Sequence, residues 1–266
     1  VMTMKKPGLL ARSLRDLLHK EARLRTITAV CIGSTYIAVR LDDDSLGLAA
    51  MPVAALSPPQ HAATFPPEAS LRGRPAAFLL DWLTEGDHPR QKALALATAN
   101  ALICQDRSDF DGDALDAFHL TAADTVVMVG RFTPLIERIN ATGAALKVLE
   151  KNPAKGMVLP AGERCRVLER GTVAIITATA MLYGDLEEIL SDLGQPRHVS
   201  LLGPSTPMLP ELFALTPVTH LGGVRIIDTA RIMSIVAAGG GTRAMRPGLE
   251  MTNMVLKKGA RGNEKA

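Results

Sequence analysis

From Asp124 onward the chain alternates short apolar runs with segments of helical period, and that order leaves few folds open. Residues 125–129, 146–149, 173–177 and 199–202 are apolar runs of strand length. Among them lie 134–140, 185–193, 208–215 and 229–238, which carry apolar residues at helical spacing. A further strand fits over 224–227. Largely apolar strands separated by helices imply parallel strands covered on both faces. The sequence therefore predicts an α/β domain with a mainly parallel sheet.

The residues ahead of Asp124 follow another rule. An amphipathic helix is predicted over 9–24, with Leu10, Leu14, Leu17 and Leu18 on one face. Three β-prone runs follow at 26–32, 36–41 and 46–50. Gly33-Ser34 and Asp42-Asp43-Asp44 separate them as turn signals, so they read as a β-meander. A proline-rich segment spans 51–75, and helical patterns follow at 76–84 and 89–104. Strands early and helices late make this first unit α+β. The acidic stretch 106–116 reads as a linker. The expected division is a first domain over 1–105, a second over 106–256 and a basic tail over 257–266.

Charge and composition narrow the class. The formal charge is +3, with much of the excess at the ends (Lys5, Lys6, Lys257, Lys258, Arg261, Lys265), and the aromatic content of 3% offers no stacking platform for bases. No nucleic-acid partner is expected. No apolar run approaches the roughly 18 residues that a membrane span requires. Arg12, Arg15, Asp16 and Lys20 interrupt what would be the apolar core of a secretory signal. Cys31, Cys104 and Cys165 are odd in number and far apart, which suits free thiols in a reducing compartment. A cytoplasmic protein with a small-molecule ligand is the expectation; a homo-oligomer stays open.

The turn chemistry places a candidate site. In Leu201-Leu-Gly-Pro-Ser-Thr-Pro-Met-Leu-Pro-Glu211 a strand meets Gly203, then prolines interleaved with Ser205 and Thr206, then a predicted helix. Such a helix start, at the carboxyl end of a strand, presents amides and hydroxyls to an anion. Glu150 ends the second strand, where an acid either accepts bonds from ribose hydroxyls or is a solvated charge. Thr177 and Thr179 follow the third strand and either meet a ligand or cap the next turn. Gly130 stands alone after the first strand, followed by Phe132, so the three-glycine dinucleotide fingerprint is missing and no NAD is expected. Gly239-Gly240-Gly241 follows a helix and reads as its terminus.

Other chemistries are excluded by spacing. The six histidines are isolated, with no pair four apart and no CxxC, so no metal site is expected. His198 and His220 read chiefly as structural. Asp109, Asp111 and Asp113 alternate as in a calcium loop, but Ala114 and Leu120 stand where Gly and Glu are required. Neither a GxSxG elbow nor a P-loop occurs.

Taken in order, several segments resemble the family named "Putative heavy-metal chelation". They are Val30-Cys-Ile-Gly-Ser-Thr-Tyr36, Thr98-Ala-Asn-Ala-Leu102, Val129-Gly-Arg-Phe-Thr-Pro134, Val148-Leu-Glu150, Ile175-Ile-Thr-Ala-Thr179 and the Gly203-Pro-Ser-Thr turn. The chain departs from the pattern at Ala178, Ala180 and Tyr183. The resemblance implies an enolase N-terminal-like domain, then a Rossmann-like domain, with a ligand cleft between them. It implies handling of a metal-chelating compound, through condensation or hydrolysis of a pterin-, flavin- or siderophore-like molecule. In that cleft Tyr36 and Asn100 would face Gly130, Phe132, Glu150, Thr177, Thr179, Gly203, Ser205 and Thr206. A non-catalytic carrier of a metal–chelate complex and a methyltransferase using S-adenosylmethionine are the alternatives. The cofactor is unknown.

Overall fold

Leucines four residues apart build the first helix: Leu10, Leu14 and Leu18 are buried along α1 (Leu9–Ala22), whereas Leu17 lies exposed beside them. The computed structural model describes residues 8–52, 66–103, 108–112, 114–151 and 156–256. The proline-rich stretch 53–65, Lys5, Lys6, Cys104, Asp106, Asp113 and the tail from 257 lie outside the described residues.

The meander is present as β1 (Ile27–Ile32), β2 (Tyr36–Leu41) and β3 (Leu46–Ala50), paired antiparallel in that order. After α2 (Glu68–Leu71), the single helix expected over 76–84 is broken into α3 (Ala76–Leu80) and α4 (Trp82–Glu85) at Asp81. Next, α5 (Pro89–Leu102) begins with a reciprocal cap. His88 Nδ1 accepts from the Arg90 amide, and Gln91 Oε1 accepts from the His88 amide. Proline at the first helical position completes that start. Buried alanines along α5 let its backbone lie against β3, where Gly47 leaves no side chain in the way.

The second unit is built on a seven-stranded sheet ordered β4-β10-β9-β8-β7-β5-β6. Its parallel members are β5 (Thr125–Val129), β6 (Ala145–Leu149), β7 (Val173–Thr177), β8 (His198–Leu202) and β9 (His220–Ile226). Helices α6 (Thr133–Ala141), α7 (Ala161–Glu169) and α8 (Leu186–Asp192) connect the first four of them, a 3-10 turn (Pro210–Phe213) lies between β8 and β9, and α9 (Thr229–Ala237) and the short α10 (Thr242–Met245) follow β9. Two antiparallel strands finish the sheet: β10 (Leu249–Val255) on β9, and β4 (Phe110–Asp111) on β10. Part of the stretch expected as a linker thus pairs with the sheet.

Two sequence expectations need correction. The helix expected over 208–215 is a single 3-10 turn, Pro210–Phe213: the amides of Leu212 and Thr216 reach three residues back, to the carbonyls of Leu209 and Phe213, instead of four. β10 and α7 fall in segments for which no element was predicted. β10 alternates buried and exposed residues too irregularly to announce itself.

The amino ends of the strands are tied by one buried carboxylate. Asp124 accepts from Arg197 Nε and Nη2, from the Thr172 hydroxyl, and from the Thr121 amide and hydroxyl. The Arg197 hydrogen bonds above all hold this carboxyl far below the usual carboxylate range. The largest of three apolar clusters among the described residues runs from α1 and the meander through α5 into β7, β8 and the 3-10 turn.

Candidate functional site

The sheet reverses its strand order at β5. β6 lies on one side of it, and β7 through β9 on the other. At such a switch point the connections leave toward opposite faces and open a crevice at the carboxyl ends of the strands. A cavity of 650 Å³ lies there. Its floor is apolar, with Val129, Leu149, Leu168 and Ile189. Its rim carries Arg131, Glu150, Lys151, Arg164 and Asp185.

The rim is organised by the turn after β5. Gly130 sits at φ +85°, a region that disfavours a side chain, and a Cβ there would lie 2.7 Å from Thr177 Cγ2. That turn brings the Arg131 amide to Glu150 Oε1 at 2.7 Å, so one carboxylate oxygen at the end of β6 is held by backbone. Across the crevice the Thr177 and Thr179 hydroxyls are 3.0 Å apart, and Thr177 also accepts from the Thr179 amide at 3.4 Å as the cap of a 3-10 turn. Lys151 pairs with Asp185 and lies 4.0 Å from the centre of the Tyr183 ring.

The ten residues singled out in the sequence fall into two groups. Gly130, Phe132, Glu150, Thr177 and Thr179 line this cavity. Tyr36, Asn100, Gly203, Ser205 and Thr206 lie where the meander unit meets β8 and β9. Ser205 and Thr206 are only 2% and 4% exposed. Ser205 Oγ accepts from the Ala50 amide at 2.8 Å, and Thr206 donates to the Gly222 carbonyl at 2.9 Å. Asn100 Nδ2 donates to the carbonyls of Leu48 and Ser205. The Tyr36 hydroxyl meets Thr242 Oγ1 at 2.7 Å, and burial pushes its phenol up. With only one 3-10 turn behind it, the Gly203–Thr206 segment has no long helix dipole to offer an anion.

Lys151, Arg131, Arg164 and Asp185 complete the rim and were not singled out in the sequence. Lys151 directly follows Glu150, and that adjacency was the available signal. Arg164 had none, since α7 itself was not predicted.

The two histidines near strand starts take structural positions. His220 is 1% exposed, between Ser200 Oγ at 2.7 Å and Asn253 Oδ1 at 3.2 Å. Asn253 Nδ2 donates to the Phe110 and Gly112 carbonyls, which turns its oxygen toward His220. Nε2 therefore carries the hydrogen, and Nδ1 accepts from Ser200. Burial pushes this imidazole down from 6.5 to about 4. Between those values the unfolded chain takes up a proton that the fold refuses, so stability falls as pH drops through that window. The loss should reach roughly 3 kcal/mol near pH 4. Urea midpoints at pH 7 and pH 4.5 should show it, and His220→Gln should flatten the difference. His198, half-exposed, packs on Phe118 with ring centres 5.5 Å apart. No cluster of three metal-ligating side chains occurs among the described residues.

The site and topology define a two-unit protein: a meander with helices, then a doubly wound sheet with a crevice at its switch point. Two family models, both described as "Putative heavy-metal chelation", match residues 15–103 and 113–255. The chain belongs to this family. An uncharacterized protein of Methanocaldococcus jannaschii is 25% identical over 150 residues, 54% of this chain and 58% of that one. The chain thus spans somewhat over half the length of that curated relative. The crystal structure of a family protein of unknown function from Pyrococcus horikoshii superposes with a TM-score of 0.79 at 15% identity, covering 93% of this chain and 100% of that one. Another, from Desulfitobacterium hafniense, gives 0.71 at 20% identity over 92% and 98%. These likenesses support the fold: a small antiparallel sheet with helices, then a mostly parallel mixed sheet with helices.

Proposed function

We propose that the protein binds a small anionic, heteroaromatic metabolite in the cavity at the carboxyl ends of β5, β6 and β7. It would act on it, by condensation or hydrolysis, in the making of a metal-chelating compound. One observation carries the reading: the 650 Å³ cavity combines an apolar floor with a charged rim at the switch point of the sheet. Glu150, its carboxylate set by the Arg131 amide, would hold a hydroxylated part of the ligand. Thr177 and Thr179 would take a polar edge of the ring. Tyr36, Asn100, Ser205 and Thr206 would keep the two units together beside it.

Calorimetry with nucleosides, pterins and flavins tests this. A member of the panel should bind, and Glu150→Ala should weaken it by about tenfold or more, as expected when a hydrogen bond to a charged group is lost. Unchanged affinity in Glu150→Ala combined with Thr177→Val would remove the assignment. Mass spectrometry of candidate precursors separates the enzyme from the carrier of a metal–chelate complex, which binds without turnover. Thermal stabilisation by S-adenosylmethionine alone would favour the methyltransferase.

A further inference from the structure

We infer that Tyr183 and Lys151 form the ring subsite of this cavity: the flat ring of a ligand that bears an anionic substituent stacks on Tyr183 in the place that the Lys151 ammonium holds, and the ammonium moves onto that substituent. This rests on the proposed function and narrows it to one ligand shape and sign.

The geometry supplies the argument. Lys151 follows β6, while Tyr183 and Asp185 follow β7, so the three bridge the crevice from both sides of β5. All three line the cavity. Lys151 Nζ stands 4.0 Å from the ring centre, where one face of an aromatic partner would lie. Its side chain is 60% exposed and its partner Asp185 only 15%, so the lysine is the movable member. An exposed cation–π contact and an exposed ion pair are each worth at most about a fivefold preference. A stacking ring can displace such a clasp. Among the cations of the lining, Arg164 is paired with Glu188 and Asp192 beyond it, whereas the Lys151 ammonium sits on an exposed stem. Lys151 is therefore the cation that can turn toward an anionic group.

Flavin mononucleotide and riboflavin test this directly, since they share a ring and differ in charge. The wild-type protein should bind the mononucleotide at least about threefold tighter, the scale of one exposed charge contact. In Lys151→Met that preference should vanish, while riboflavin binds about two- to fivefold tighter because nothing needs displacing. Tyr183→Leu should weaken both by about tenfold, and Tyr183→Phe should restore them. Thermal melting shows that each variant is folded. If both flavins bind the wild type and Lys151→Met keeps the charge preference, or Tyr183→Leu binds as the wild type does, the ring subsite falls and the cavity reading stands. If the wild type binds neither flavin, the inference is overturned. Failure of the nucleosides and pterins as well would take the proposed function with it.

Discussion

Replacing Gly47 by alanine is expected to destabilise the protein by roughly 3 kcal/mol or more, one of the largest single-residue effects in the molecule. A Cβ on Gly47 would lie 2.0 Å from the Ala97 carbonyl oxygen and 2.2 Å from the Ala101 amide. Both are backbone atoms of α5, so no side chain can swing aside. The helix must lift from β3, and Asn100, on the same helix, then loses its bonds to Leu48 and Ser205. The substitution would thus loosen the joint between the two units as well as the first sheet. Urea unfolding followed through Trp82, the only tryptophan, reads this. A midpoint equal to that of the wild type would show that α5 does not sit as described.

The second large effect is expected at the amino ends of the seven-stranded sheet. Asp124→Ala removes the carboxylate that holds Arg197, Thr172 and Thr121 together, and should lower stability by about 2–3 kcal/mol. The figure sits at the low end for a broken buried pair, because the Arg197 side chain keeps partial access to water. Equilibrium unfolding measures it. Ligand binding should stay as in the wild type, because Asp124 is at the amino ends of the strands and the cavity at their carboxyl ends. Its acid dependence has a definite sign. A carboxyl held low in the fold contributes stability above its ordinary range near 3.8, and that contribution disappears as pH falls below it. The His220 window lies higher, so the two losses separate on a pH scale.

The inner parallel strands β5, β7 and β8 were legible because each is a largely apolar run buried on both faces, whereas β6, at the edge, is exposed at every second residue of 145–148. Residues 125–129 and 173–177 coincide with β5 and β7 for that reason. The meander was legible through its turns, and Asp44 does adopt a positive φ of 64° between β2 and β3. β10 was not, because an antiparallel strand with an irregular burial pattern leaves no clean period of two. The candidate site divides for a related reason. Turn chemistry marks where strands end, and Gly130, Glu150, Thr177 and Gly203 all stand at such ends. It does not tell which ends stay open. That depends on where the first unit sits, and it covers β8 and β9 through contacts such as Ser205 to Ala50.

The place of β10 bears on the order in which the protein can be made. It lies inside the sheet, between β9 and β4, although it is the latest strand in sequence among the described residues. On the ribosome, β9 therefore carries one unsatisfied backbone edge until residues 249–255 emerge, and β4, synthesised before every other strand of that sheet, waits for the same partner. An open apolar edge is the surface on which nascent chains cross-associate. Vectorial synthesis thus leaves the second unit incomplete until its late strand inserts, while the meander and α5 can already be packed.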